Sequence, residues 1–164
     1  MASSGSFNTT GYQGRYLTFS WSVASQSIAN NTTTISWTLK GAGNAQSSWY
    51  RSGNFKVVIN GSTVYSSSTR IQLYDGTLVA SGNYTMTHDT AGNKTFSASA
   101  EAGIYTVAVN CSGSGSFTLP QIARAATITA APNFTDIQNP TINYQNAAGN
   151  SVTTLQACIS LTGS

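Results

Sequence analysis

Few side chains in this sequence could break a bond. Asp75, Asp89, Glu101 and Asp136 are the four carboxylates, and His88 is the single histidine. Glycoside hydrolysis needs two carboxylates flanking the scissile bond, and Asp75 with Asp89 is the pair on offer. Each acid also has a structural use. Asp75 precedes Gly76 in a turn dipeptide, Asp89 opens the turn to Asn93, Asp136 lies in a proline-bracketed loop, and Glu101 falls at a strand end. One imidazole cannot build a zinc site of several histidines, and the alternation of His88 with Tyr84 and Met86 reads as a partly buried strand residue beside a turn. Cys111 and Cys158 have no metal-ligand spacing and read as reduced, small hydrophobes, with a disulfide the other reading. The glycines of Gly41-Ala42-Gly43 and of Ser112 to Ser116 precede no helix, so they cradle no phosphate and read as loop or strand-edge glycines. The Asp89 to Asn93 segment has one carboxylate, too few for a calcium loop, and reads as a turn. No catalytic residue, metal ligand or cofactor is assigned.

Aromatic and amide side chains are the remaining chemistry. Trp21 and Trp37 fall on inward strand faces and read as core. Trp49, Tyr50 and Arg51 sit in the Ser47 to Gly53 segment, read as lying between strands. The apolar face of a sugar stacks on such rings while amides and guanidinium groups meet its hydroxyls. Trp49, Tyr50 and Arg51, with Asn44, Arg70 and Tyr74, therefore form the candidate carbohydrate site. The other reading of Trp49 is a plug at the end of the fold.

The elements that must position these residues are strands. Leu17, Phe19, Trp21 and Val23 alternate with polar residues, as do Ile35, Trp37 and Leu39, so each run has one buried and one wet face. Phe55, Val57 and Ile59 lead into Asn60-Gly61, the preferred dipeptide of a two-residue hairpin. That turn predicts Ile59 opposite Ser62, Val57 opposite Val64 and Lys56 opposite Tyr65, with Tyr65 outside. Asp75-Gly76 predicts a second hairpin, with Leu73 opposite Leu78 and Ile71 opposite Ala80, leaving Gln72 and Tyr74 outside. Tyr84 to His88, Phe96 to Ala100, Val107 to Cys111 and Ser116 to Leu119 read as further strands. The expectation is an all-β fold over residues 4–120, an antiparallel β-sandwich of jelly-roll or immunoglobulin-like type. Residues 121–126 read as a linker and residues 127–164 as an incomplete second β segment, in which Thr141 to Tyr144 pairs with Val152 to Leu161. A lone hairpin is marginal in water. This segment is expected to pack on the first domain, to join other copies in a homo-oligomer, or to continue into further sequence.

Composition limits the partners. Charged residues make up 7% of the 164 residues and apolar ones 40%, so a surface of Ser, Thr, Asn and Gly covers one real core. An average globular protein is about 25% charged. The net charge of +3 comes from residues spread singly along the chain. A nucleic-acid partner, which calls for a clustered basic stripe, is not expected. No apolar run approaches a membrane span, and the first residues carry no charged and hydrophobic signal.

Five segments resemble a known family. Ser4 to Phe7, Tyr16 to Trp21, Ile28 to Trp37, Phe55 to Gly61 and His88 to Lys94 resemble, in that order, the repeating β modules of tailed-phage minor structural and host-specificity proteins from phages of Gram-positive bacteria. The resemblance covers about residues 4–119. The segment after Pro120 is similar to the linker of Ile, Arg and Ala or Ser that often follows these modules, with Gln121 interrupting its order. The resemblance implies a virion protein of the tail tip or baseplate, extracellular after release. Its implied partners are host cell-wall or surface polysaccharide and other phage tail proteins, and it carries over no binding residue. The alternatives are a purely structural spacer or decoration protein of the virion, and a bacterial adhesin or pilin-like subunit.

Overall fold

The computed structural model describes residues 2–43, 49–104, 109–123, 127–128 and 144–145. Residues 49–53, 104, 109, 127–128 and 144–145 are described by backbone alone. The alternating runs form β1 (Ser4–Asn8), β2 (Arg15–Ser27), β3 (Thr32–Gly43), β4 (Trp49–Ile59), β5 (Ser62–Ser67), β6 (Ile71–Leu73), β7 (Leu78–Thr87), β8 (Thr95–Ile104) and β9 (Val109–Thr118). All pairings among these nine strands are antiparallel, in two sheets. The first sheet runs β1-β2-β3-β7, and the second runs β5-β4-β8-β9 with β6 also on β4. The expected β-sandwich is what the chain forms. In constant-type immunoglobulin domains the second and third strands lie in opposite sheets, whereas β2 and β3 are hairpin neighbours here.

Large side chains from the first sheet fill the core. One cross-strand row reads Gly5, Trp21, Trp37, Gly82 and the next Phe7, Phe19, Leu39, Ala80. The facing strands β8 and β9 offer small residues, among them Ala98, Ala100 and Gly115. Trp21 meets Phe96 and Phe117 of the second sheet edge-on, with ring centroids 5.1 and 5.3 Å away. The indole nitrogens of Trp21 and Trp37 are buried without a hydrogen-bond partner. Each orphan donor costs about 1–3 kcal/mol, against about 5 kcal/mol from burying some 200 Å² of indole. Ring burial wins.

The edges β1 and β9 close one side of the sandwich. Thr10 N donates to Ser112 O at 2.7 Å, Ser112 N donates to Thr10 Oγ1 at 3.0 Å, and Ala2 N reaches Thr118 O at 3.3 Å. The approach requires glycine, because a Cβ on Gly113 would sit 2.6 Å from Asn8 O and 2.8 Å from Thr9 Cα. The glycines of Ser112 to Ser116 thus lie in an edge strand, with outward serines between them.

Several sequence expectations change. Ile59 opposes Ser62 as expected, but Val57 opposes Tyr65 and Lys56 opposes Ser66, because Val64 is the extra residue of a bulge. Bulges concentrate in edge strands such as β5, and this one lets Val64 and Tyr65 both pack against the core. Asp75-Gly76 is not a hairpin within one sheet: β6 pairs with β4 and β7 with β3, so the turn is a corner between sheets. Trp49, Tyr50 and Arg51 begin β4 instead of lying between strands. Cys111 and Ser116 belong to one strand, β9, and Val107 lies outside the described residues.

The chain divides into two units, Met1–Ile122 and Ala123–Ser164. Gln121 and Ile122 belong to the first unit. Ile122 is buried, its N donates to Gly92 O at 2.9 Å, and Gln121 Nε2 donates to Ala91 O at 2.8 Å. In the second unit β10 (Thr127–Ile128) pairs with β11 (Tyr144–Gln145). Tyr144 thus partners Ile128, and the expected partner segment Val152 to Leu161 lies outside the described residues. Among the described residues no helix is long and apolar enough to cross a membrane.

Two measurements check this packing. Trp37→Ala should cost about 3–5 kcal/mol in denaturant melts, while Trp37→Phe, which removes the orphan N–H with part of the ring, should cost under about 2 kcal/mol. Gly113→Val should lose about 1–3 kcal/mol, and the outward Ser114→Val in the same strand should change stability by less than about 0.5 kcal/mol.

Candidate functional site

The end of the sandwich where β2 and β4 begin and β3 finishes is built by two turns. Tyr12 and Arg15 exchange backbone hydrogen bonds at 2.9 and 3.1 Å around Gln13 and Gly14, whose φ angles of 52° and 77° are those of a tight hairpin turn. In the corner, Thr77 N donates to Tyr74 O at 3.1 Å and Tyr74 N donates to Thr77 Oγ1 at 2.9 Å. Gly76 N donates to Gly41 O at 2.8 Å and Gly41 N to Thr77 O at 2.9 Å, which stitches the corner to β3. Gly41 is required there, since a Cβ would lie 2.5 Å from Tyr74 O.

Five of the six expected site residues lie, by backbone, along the paired β4 and β6 or beside them. Trp49 pairs with Leu73 and Ser52 with Ile71, so the backbone of Trp49, Tyr50 and Arg51 runs beside β6, which Arg70 precedes and Tyr74 follows. Tyr74 is 50% exposed and Arg70 is also exposed. Asn44 lies outside the described residues, as do the side chains of Trp49, Tyr50 and Arg51.

The same end holds three residues that sequence reasoning missed. Tyr16 pairs with Ala42 and Thr18 with Lys40, which makes Tyr16 and Lys40 diagonal neighbours on the outer face of the first sheet. Leu78 stands opposite Lys40 and is 53% exposed. For Tyr16 and Lys40 the only sequence signal was an outward phase at the ends of alternating runs, whereas Leu78, expected opposite Leu73 on the inner side, faces outward because the bulge beside it pairs it with Lys40. Tyr16, Lys40 and Leu78 thus put a phenol ring, a lysine ammonium and an aliphatic side chain on the outer face of the first sheet, a mix suited to stacking and hydrogen bonding.

The candidate hydrolytic pair is pulled apart. Asp75 lies by Gly41 at the finish of β3, and Asp89 follows Thr87, which pairs with Thr32 at its start. Nine residues of strand separate the two ends by about 30 Å, far beyond the about 5–10 Å that glycoside hydrolysis uses. Asp89 caps its own turn, its Oδ1 accepting from Ala91 N at 3.0 Å and Asn93 N at 2.7 Å. Among the described residues no three His, Cys, Asp or Glu side chains gather as a metal site.

His88 is buried in a network at the far end. Its Nδ1 lies 2.8 Å from Gly92 O, an acceptor, so Nδ1 carries a proton. Thr33 Oγ1 lies 2.7 Å from His88 Nε2 and accepts from Gln26 Nε2 at 3.1 Å, leaving the hydroxyl proton for the imidazole. Gln26 Nε2 also donates to Pro120 O at 3.0 Å. A shallow depression of about 470 Å³ nearby is lined by Thr87, His88, Asp89, Asn93, Lys94 and Thr95. His88 thus ties the start of β3 to the 89–93 turn. Cys111 is a free thiol inside the core, and burial pushes its pKa up, away from the reactive thiolate.

No family model, curated protein or solved structure matches the chain.

His88→Ala should orphan Thr33 Oγ1 and the Gly92 carbonyl at a cost of about 1–3 kcal/mol in thermal melts. If the residue is structural, any ligand bound at the Tyr74 end should hold its affinity.

Proposed function

We propose that this chain is a tail-associated module of a phage virion that binds host cell-surface polysaccharide through the Trp49–Tyr74 end of its sandwich. The observation that carries the reading is where exposed apolar side chains lie. The outer face of the first sheet is set with Ser20, Ser22, Thr34, Ser36, Asn83 and Thr85, with Thr34 bonded to Thr85 and Ser36 to Asn83. Ile28, Tyr74 and Leu78 are the exposed large hydrophobics among the described residues, and two of these three stand at the candidate end. A shallow surface of rings and a cation beside polar backbone suits a sugar chain, which offers C–H faces and hydroxyls together.

Such a site is weak by itself. A millimolar contact is worth about 4 kcal/mol, and several copies on one particle raise the avidity without new contacts. The resemblance to tail modules supports this setting, in which the protein acts outside the cell after the virion is released. The spacer reading draws on the hydroxyl-covered sheet face and on Gln121 and Ile122, which dock the chain's exit onto the sandwich.

Trp49→Ala and Tyr74→Ala, each checked for an unchanged melting temperature, should weaken binding to host cells or purified wall polysaccharide by about tenfold or more. Wild-type binding retained by both folded variants would remove this site from consideration. A wild-type chain that binds neither material would favour the spacer.

A further inference from the structure

The two sides of the sandwich are finished differently. On one, the edge strands β1 and β9 are joined by backbone hydrogen bonds. On the other, β7 ends the first sheet and β5 the second, and among the described residues no strand continues either. β5 is short and bulged at Val64, two ordinary protections of a sheet edge. β7 has ten residues, pairs with β3 in unbroken register from Ala80 to Thr87, and carries no proline and no charge. The direction of its hydrogen-bonding groups follows from one contact. His88 N donates to Asn31 O at 2.9 Å, and these two residues continue the β3–β7 register, so they are a hydrogen-bonded pair. Such pairs alternate along an antiparallel ladder. Met86, Tyr84, Gly82 and Ala80 therefore bond to β3, while Ser81, Asn83, Thr85 and Thr87 turn their N–H and C=O groups away from it.

We infer that this edge pairs with the same edge of a second copy of the chain, antiparallel about a twofold axis at Asn83, so that the two first sheets become one. The sequence of β7 is self-complementary in that register. Asn83 meets Asn83, and Ser81 meets Thr85 on either side of it, as hydrogen-bonded pairs that supply about six backbone bonds. On the inner face Gly82 meets Tyr84 and Ala80 meets Met86, a small residue beside a large one each time. Non-hydrogen-bonded pairs bring side chains closest, so Tyr84 of the second copy lands beside Gly82. The Trp37 ring lies over that glycine, with Nε1 3.3 Å from where its Cβ would be. This buried N–H has no hydrogen-bond partner among the described residues, and the π face of a phenol brought beside it is an acceptor. The two copies meet without opposing like charges, since none lies from Thr77 to Thr87. An isologous contact of this kind closes as a dimer, because it uses the β7 edge of both copies.

The test uses the full chain. Sedimentation at micromolar concentration should show a dimer that dissociates on dilution. The amides of Ser81, Asn83 and Thr85 should be protected from hydrogen exchange in the dimer and exchange about tenfold or more faster in the diluted monomer. Asn83→Lys sets two lysines face to face on the axis, and Thr85→Pro removes an outward N–H that β3 does not use; each should weaken dimerisation about tenfold or more. Ser22→Lys, on the exposed face of β2 and away from the edge, should change it by less than about threefold. Should Thr85→Pro fail to fold, Asn83→Lys and the exchange pattern decide. A chain that stays monomeric with these three amides exchanging freely would overturn the inference. Monomers in which the amides stay protected would show the edge covered by another segment of the same chain, and a dimer untouched by Asn83→Lys would place the contact elsewhere. Either result overturns it as well.

Discussion

The row Gly5, Trp21, Trp37, Gly82 across the first sheet is the packing constraint on which the sandwich depends. Two indoles placed side by side on one pleated face need more width than two strands provide. The outer strands supply it by carrying no side chain at the matching positions: a Cβ on Gly5 would lie 2.8 Å from Trp21 Nε1, and one on Gly82 3.1 Å from Trp37 Cζ2. Covering these glycines buries the indole rings and leaves both N–H groups without acceptors. The facing sheet meets Trp21 with Phe96 and Phe117 and is small elsewhere along β8, with Ala98, Ala100 and Ala102. Changing the size of one row would therefore require changes in both sheets.

Close backbone approach recurs where the architecture is joined. Gly113 admits β1 to the side of β9, Gly41 admits the corner that carries Tyr74, and Gly92, with φ of 80°, lies against the backbone of Ile122. These contacts hold the edges, the corner and the exit of the unit with backbone hydrogen bonds and almost no charge. Tyr74 gains significance because the corner holds it, half exposed, at the end of the sandwich.

The candidate site shows how far residue type carries an argument. The exposure of Tyr74 followed from its phase beside Asp75-Gly76, yet the hairpin assumed for that phase does not exist. The same turn residues serve a corner between sheets, since a turn fixes the local direction of the chain and not the sheet it joins next. Trp49, Tyr50 and Arg51 were selected as loop residues and prove to be strand residues by backbone. They still meet β6, because their pairing is set by the edge that β5 leaves open along β4. Tyr16 and Lys40 escaped notice because each closes or opens an ordinary alternating run.

Period-two alternation by itself determined that the chain is all-β, which faces of β2, β3 and β4 are buried, and that His88 adjoins a turn, because side chains on a pleated strand alternate whatever the strand pairs with. The tertiary structure alone decided strand order, the Val64 bulge and the joining of β1 to β9. These depend on contacts between segments distant in sequence, such as Thr10 with Ser112 and Tyr74 with Gly41. Their energies come from shape and hydrogen bonding across the gap between segments, and no local pattern records which partner will fill it.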